Sequence, residues 1–263
     1  MPVNDVVADD FAHVYKQATN WTNAVSDDTG TSTSGTGNPS INVYFLYTPA
    51  NIYINYRTFG AFDLSSLSGT VTSVSLILTK SAGNDLGLPI FVVKGSDNKS
   101  ASSGNAAGIP FTTDHYLSGV AGFDGDDYPY EAAGVSEGGD GSYKEYTSEI
   151  AASGINAISS DAQYTIDLNS DAVTDANSVI GTSTKFFVAI LSKYDKNNTH
   201  GSDGTFPNNS TLASQGHFTY PESHSTSGFR PLLRVTTADA TLPNKINIKG
   251  GTLNVKGGSV IIK

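Results

Sequence analysis

The chain has 263 residues, 27 glycines, 13 tyrosines and no cysteine, with a formal charge of −10. The acidic balance argues against a nucleic-acid-binding surface, which needs clustered lysines and arginines to replace counterions. The lack of cysteine excludes thiol catalysis and cysteine-ligated metals. The length suits one large all-β domain, or one domain with a small appendage.

The N-terminal part is predicted to begin with a strand and to continue into a polar loop. Residues Met1 to Ala18 have the apolar content of a first strand or arm. No signal peptide is predicted, because the opening residues have neither a basic n-region nor an apolar h-region. No apolar run is long enough for a transmembrane helix. Ser26 to Ser40 is rich in Gly, Ser and Thr, which predicts a surface loop, and a strand is predicted at Ile41 to Thr48.

Two long β-type runs follow, Ile52–Phe62 and Val71–Leu78, separated by a turn of small residues. In the second run Val74, Leu76 and Leu78 alternate with polar side chains. A period of two with one apolar side predicts a strand that is half buried against a core. These two runs are expected to form the centre of the fold.

The remaining strands surround one irregular region. Gly95 to Ser160 carries few strand signals, which predicts either a long insertion with a function or an elaborated end of a sandwich. Lys185–Ser192 is apolar on both faces and should be a central, fully covered strand. The count of about eight strands predicts an all-β sandwich. Other strands are expected at Leu88–Lys94, Gln163–Leu168 and Phe229–Thr236, with short helices within Ile150–Ser160 and Asp171–Ile180.

Two stretches carry a resemblance to a known family. The strand that contains Arg57 enters the pattern F-D-L-S-x-L at Phe62 to Leu67, and Thr70 to Leu78 then reads T-V-T-S-V-S-L-I-L. Arg230 to Thr236 fits the closing-strand pattern R-P-x-L-x-V-T. The chain thereby resembles the DNRLRE-type and carbohydrate-binding-type β-jelly rolls. The resemblance implies a jelly-roll β-sandwich, in a family of binding and adhesion modules on secreted enzymes, surface proteins and virion appendages.

The C-terminal residues differ in composition from the rest. Residues 238–243 are predicted to be a linker between a jelly-roll domain at 1–237 and a small C-terminal β element at 244–263. In that element INIKGGT, LNVKGGS and VIIK repeat every seven residues. Gly-Gly between two strands is a hairpin turn, because both positions tolerate positive φ. The repeat therefore predicts a three-stranded β-meander.

The register of this meander places its apolar residues on one face. Closing the second hairpin on Gly257 and Gly258 puts Val255 opposite Val260. A sheet this small with a bare apolar face is not stable in water, so its own sandwich, other copies or another protein must cover it. The break in composition favours an intermolecular role, and a parallel solenoid is an alternative geometry. The predicted partner-binding residues are Ile246, Ile248, Leu253, Val255, Val260 and Ile262.

The sequence lacks the local motifs of catalysis. The histidines are scattered, with neither HxH nor HExxH, and no nucleophile elbow or phosphate loop lies between a strand and a helix. We therefore predict that the protein is not an enzyme and needs no cofactor. Asp124, Asp126 and Asp127 could hold a structural Ca²⁺, although the twelfth position is Val135 instead of Glu. The alternative is an acidic solvated loop, and Asp195 begins a weaker cluster of the same kind.

Carbohydrate binding would need aromatic rings beside polar side chains. Trp21, Tyr128 and Tyr130 are the predicted glycan-contacting residues because they lie in turn-rich segments. Further candidates on the same ground are Tyr116, Tyr143 and Tyr146. The alternative is that these rings are half buried at the rim of the sandwich.

Together these features predict a non-enzymatic virion structural protein, either a capsid decoration or a fibre or appendage protein on the virion exterior. Its expected partners are copies of itself, with a trimer favoured, or a capsid or appendage protein. Contact with nucleic acid or membrane is not expected. The alternative is a carbohydrate-binding or adhesion module of a cell-surface or extracellular protein, whose partner would be a surface glycan.

Overall fold

The computed structural model describes residues 1–19, 23, 29–33, 39–41, 53–81, 89–98, 109–116, 120–121, 144–193, 195, 217–238, 254–256 and 259–261. In these residues the chain forms an all-β sandwich of two antiparallel sheets, which confirms the predicted fold class. Four strands form one sheet and five form the other, against a prediction of about eight in all.

The smaller sheet contains both the first and the last strand of the sandwich. Its strands are β1 (Val3–Val7), β6 (Thr70–Thr79), β8 (Gln163–Asp167) and β11 (Leu232–Ala238), in the spatial order β1-β11-β6-β8. β6, β8 and β11 confirm three predicted strands. The first strand of the sandwich is therefore hydrogen-bonded directly to its last strand.

The larger sheet has the spatial order β3-β2-β5-β9-β7. The single first strand expected from the sequence is in fact two strands, because the chain passes from the smaller sheet into the larger one between Ala8 and Asp9. Ala8 donates its amide to the carbonyl of Pro231, whereas Asp9 donates to the carbonyl of Ala61. The strands of this sheet are β2 (Asp10–Ala18), β3 (Ser32–Thr33), β5 (Tyr53–Phe62), β7 (Ile90–Lys94) and β9 (Phe186–Ser192).

Two short pairs complete the strands of the described residues. β4 (Ser40–Ile41) pairs with β10 (His217–Phe218). β12 (Asn254–Lys256) pairs with β13 (Ser259–Ile261). Of the strand predicted at Ile41 to Thr48, only the first residue belongs to the described part.

β6 faces the core with the residues that its alternation predicts. Val74, Leu76 and Leu78 are all buried. Val71 is buried as well, although it is three residues from Val74, because a register shift between β6 and β11 at Thr236 and Thr237 rotates the strand there. A bulge of this kind adds one residue to one strand and restores the inward direction after it.

The larger sheet is covered on both faces by apolar side chains. One core lies between the two sheets and contains Phe62, Leu76, Val188, Ile190 and Leu233. A second core lies on the other face of the larger sheet, and its buried members include Phe59, Val93, Phe111, Val120, Ala189 and Leu191. β9 lies between β5 and β7 and contributes to both cores, so the prediction of a central, fully covered strand is confirmed.

Two short helices, Ala152–Asn156 and Ser170–Val179, lie where the sequence predicts them. Asn169 is the N-cap of the second helix, and its side chain accepts hydrogen bonds from the amides of Asp171 and Ala172. Asn177 then bonds both the amide and the carbonyl of Val71 at the edge of β6. Among the described residues, no helix has the length and apolar character needed to cross a membrane.

Candidate functional site

Most of the predicted ligand contacts lie outside the described residues, so the calcium and glycan sites assigned to them stay predictions. Tyr116 and Tyr146 are described, and their exposed fractions are 0% and 1%. Both rings are core residues, so their assignment as glycan contacts is wrong. The predicted contacts that lie outside the described part are Asp124, Asp126, Asp127, Trp21, Tyr128, Tyr130 and Tyr143.

The C-terminal element shows the predicted pairing in the part that is described. β12 and β13 are antiparallel, with Val255 opposite Val260 and Asn254 opposite Ile261. The predicted pairing of Val255 with Val260 is thereby confirmed. The remaining predicted members of the apolar face, Ile246, Ile248, Leu253 and Ile262, lie outside the described residues.

A group of three aromatic rings lies on the surface of the sandwich, and we call it the aromatic cluster. Tyr220 stacks on Phe229 with ring centroids 5.1 Å apart and an interplanar angle of 14°. His224 lies 4.2 Å from the ring of Tyr220 and 5.5 Å from that of Phe229. All three side chains are half buried. The three rings therefore form one packed group at the protein surface.

Polar groups fix the position of the aromatic cluster. The hydroxyl of Tyr220 donates to Oδ1 of Asp161 at 2.6 Å, and this bond raises the pKa of Tyr220. Asp161 has a φ of 63°, in the left-handed region that residues other than glycine seldom adopt. Arg230 Nε donates to the carbonyl of His224 at 2.8 Å. The carboxylate of Asp161 and the guanidinium of Arg230 are therefore both hydrogen-bonded to residues of the aromatic cluster.

The segment of the aromatic cluster is also joined to the first strand of the larger sheet. The amide of Phe11 donates to Oε2 of Glu222 at 3.2 Å. The neighbouring carboxylate of Asp10 is buried and accepts the amide of Phe111. Burial raises the pKa of Asp10 to about 6, and the negative charge of Glu222 adds to that rise. The carboxylates of Asp10 and Glu222 are thus close enough to influence each other, at a point where β2 contacts two other segments of the chain.

A buried ion pair lies on the outer face of the larger sheet. Arg57 donates from Nε and Nη2 to the two carboxylate oxygens of Asp195, at 2.7 and 2.8 Å. Its Nη1 donates to the carbonyl of Tyr116, and its guanidinium lies 4.4 Å from the centre of that ring. Neither charged side chain is exposed. The interpretation of Asp195 as part of a calcium-binding loop is therefore wrong, since both its oxygens bind arginine.

Asp175 forms a further charged cluster with Tyr146, Lys144 and Lys94. Burial acts to raise the pKa of Asp175, but hydrogen bonds from Tyr146 and Lys144 outweigh it and hold the pKa below its usual value. This carboxylate is committed to its neighbours and is poorly suited to proton transfer. Within the described residues, no three histidine, aspartate or glutamate side chains come together as a metal site.

Neither a model of a known protein family nor a curated protein sequence matches the chain. Sequence reasoning missed the aromatic cluster, because Tyr220, His224 and Phe229 stand in a polar stretch with no strand period. The occurrence of three aromatic residues within a short polar stretch is the one local signal that could have pointed to it.

Proposed function

We propose that the protein is a non-enzymatic structural and adhesion protein, which associates through its C-terminal meander and exposes the sandwich. The observation that carries this proposal is the pairing of Val255 with Val260 across the Gly257-Gly258 turn. Side chains in a strand alternate between faces, so the sequence predicts that Leu253 and Ile262 share a face with the two valines.

Covering that face supplies a driving force of the size that assembly needs. Burial of one aliphatic side chain stabilises a complex by about 1.5–3 kcal/mol, so six such residues contribute roughly 9–18 kcal/mol against the entropy of association. A trimer, in which three meanders shield one another, is the favoured assembly, and a capsid or appendage protein is the alternative partner.

A virion exterior is the setting that fits these properties best. The charge of −10 and the many Gly, Ser, Thr and Asn residues suit a surface that stays soluble at high local concentration. The sandwich belongs, in this proposal, to the jelly-roll type that the resemblance implies. The protein would then act as a capsid decoration or as part of a fibre or appendage.

Light scattering on the full chain and on Leu253→Asp tests the proposal. We expect the full chain to be a trimer or larger and Leu253→Asp to be a folded monomer, because a charge on the apolar face prevents its burial. Asn254→Asp is the matched control, since it adds the same charge on the opposite face and should leave the mass unchanged. An unchanged mass for Leu253→Asp would refute assembly through the meander.

Glycan binding is a second candidate function, and the aromatic cluster is the observation that favours it. Half-buried rings whose residues are hydrogen-bonded to Asp161 and Arg230 offer both apolar and hydrogen-bonding contacts to a polyol. The protein displayed in multivalent form on beads should then give signals on a glycan array. A blank array would count against this candidate and would leave assembly through the meander untouched.

A further inference from the structure

β1 forms one edge of the smaller sheet, and half of its backbone groups point away from β11. Thr237 donates its amide to the carbonyl of Pro2, and Ala8 donates to Pro231. Antiparallel partners alternate between hydrogen-bonded and non-bonded pairs, so the even-numbered residues of β1 bond to β11. The amides and carbonyls of Val3, Asp5 and Val7 therefore face outward, and no strand of the described residues pairs with them. We call these three residues the β1 edge.

The β1 edge also carries exposed apolar surface. In the described part of the chain, the exposed large hydrophobic side chains are Met1 at 85%, Val3 at 58% and Val7 at 39%. Val6 points the other way and packs against the core between the sheets. The exposed valines at positions 3 and 7 lie on one face of the β1 edge, where they are available for cross-strand contacts.

The usual protections of an edge strand are weak here. Natural edges avoid pairing through charged side chains, proline or a bulge. Residues Val3–Val7 contain no proline, and β1 follows β11 without a register shift. The single charge, on Asp5, is held by Arg234, whose Nε and Nη2 donate to its two oxygens at 2.7 and 2.8 Å. The edge is therefore close to neutral as well as regular.

We propose that the β1 edges of two copies of this chain pair with each other, antiparallel, about a two-fold axis through Asp5. This register is the one that uses all three outward-facing residues of each strand, and it forms about six main-chain hydrogen bonds. Val3 then lies opposite Val7 of the second copy, and Val7 opposite Val3. The two four-stranded sheets become one continuous sheet.

The side chains of this register complement themselves. Exposed valine meets exposed valine on both sides of the axis, which is the type of cross-strand contact that stabilises a sheet. Asp5 meets Asp5 of the second copy, but each carboxylate keeps its Arg234, so the axis joins two neutral ion pairs. One strand pair buries far less than the roughly 1,200–2,000 Å² of a stable interface. The dimer is consequently weak and depends on concentration.

Cysteine crosslinking tests the register directly, because the chain has no cysteine of its own. Opposed residues in a hydrogen-bonded pair have Cα atoms about 5.5 Å apart, within the range that a disulfide spans. Mild oxidation of the full chain should therefore crosslink Asp5→Cys into a dimer. Val3→Cys alone is four residues along the strand from its equivalent, roughly 13 Å at about 3.3 Å per residue, and should form no crosslinked dimer. A mixture of Val3→Cys and Val7→Cys should crosslink.

A second measurement follows the association of the chains without a crosslink. Sedimentation of the full chain should show a rise in mass with concentration that Val3→Lys together with Val7→Lys removes. Thr165→Lys, on the exposed face of β8 at the opposite edge, is the matched control and should retain the rise. Leu253→Asp should leave the crosslinking register unchanged, which separates this proposal from the function of the meander.

Two results would overturn the proposal. The first is that Asp5→Cys fails to crosslink, or crosslinks no faster than Val3→Cys, at the highest concentration tested. The second is a crosslink between Asp5→Cys and a cysteine introduced at Leu253, which would assign the edge to the C-terminal meander of a neighbour.

Discussion

Asp10 should make the stability of the protein depend on pH in a direction opposite to that of most carboxylates. Its carboxylate is buried, accepts the amide of Phe111 and lies near Glu222. The pKa of Asp10 is raised from 3.8 to about 6 in the folded protein. At 1.36 kcal/mol per pKa unit, this difference corresponds to about 3 kcal/mol.

The sign follows from which state binds the proton more tightly. Between pH 4 and pH 6 the folded protein keeps a proton on Asp10 that the unfolded chain has lost. The free energy of unfolding therefore contains a contribution from Asp10 that is full below pH 4 and is lost as pH rises through 6. At pH 7 the folded state carries a buried charge that opposes folding.

Asp10→Asn isolates this effect, because the amide oxygen still accepts the hydrogen bond from Phe111 but cannot ionise. Denaturant unfolding at a series of pH values should show the variant to be more stable than the wild type by about 3 kcal/mol at pH 7. The difference should shrink to near zero at pH 4. Asp9→Asn, at a part-exposed ion pair with Lys185, is the control and should change stability by less than about 1 kcal/mol.

His13 has the opposite pH dependence and masks that of Asp10 in the wild type. Burial lowers the pKa of His13 from 6.5 to about 4, so its contribution to stability is lost as pH falls from 6.5 to 4. In the wild type the two effects largely cancel over this range. In Asp10→Asn the loss on acidification should appear alone, at about 3 kcal/mol. A difference between variant and wild type that is constant with pH would refute this reasoning.

Two further predictions concern stability alone. Asp195→Ala leaves Arg57 buried without its carboxylate partner and should lower the free energy of unfolding by about 3–5 kcal/mol. The double variant Arg57→Met with Asp195→Leu removes both charges, so its free energy of unfolding should fall much less. Equal losses for the two variants in urea titrations would contradict the ion-pair argument. Gly69 has a φ of 95° and a Cβ there would meet the carbonyl of Ala238, so Gly69→Ala should destabilise by about 1–3 kcal/mol. Gly154→Ala, in a helix with open space around it, should stabilise by about 0.5–1 kcal/mol, and a thermal melt that ranks the two alike would be inconsistent with this structure.

The strands could be predicted because their signal is local. β6 and β9 show in a few consecutive residues whether one face or both are buried, and the structure confirms each. The pairing of Val255 with Val260 is equally local, since the Gly-Gly dipeptide between the two strands is enough to predict their register. A period of two says which side chains share a face, but it does not say which sheet a strand joins. For this reason the division of the first segment into β1 and β2 was not foreseen.

The contacts that define the candidate sites are long-range, and this is why sequence reasoning failed there. Arg57 and Asp195 are 138 residues apart. Asp195 lies beside Lys and Asn residues, as a solvated loop carboxylate would, and nothing local shows that it is buried. Asp161 and Tyr220 are separated by 59 residues and come together only because their segments meet at the end of β6.

The two proposed association surfaces begin at the same corner of the sandwich. Thr237, near the end of β11, donates its amide to Pro2 beside the β1 edge, and the residues that lead to the meander follow directly after β11. When copies of the chain associate through the meander, their β1 edges are held at a high effective concentration. This strengthens the pairing of the β1 edges without any new contact. A weak pairing of β1 edges is then sufficient to orient the copies within an assembly, because the meander already holds them close together. An isolated edge that paired strongly would instead join copies before they reach the assembly, so its weakness is consistent with the proposed role.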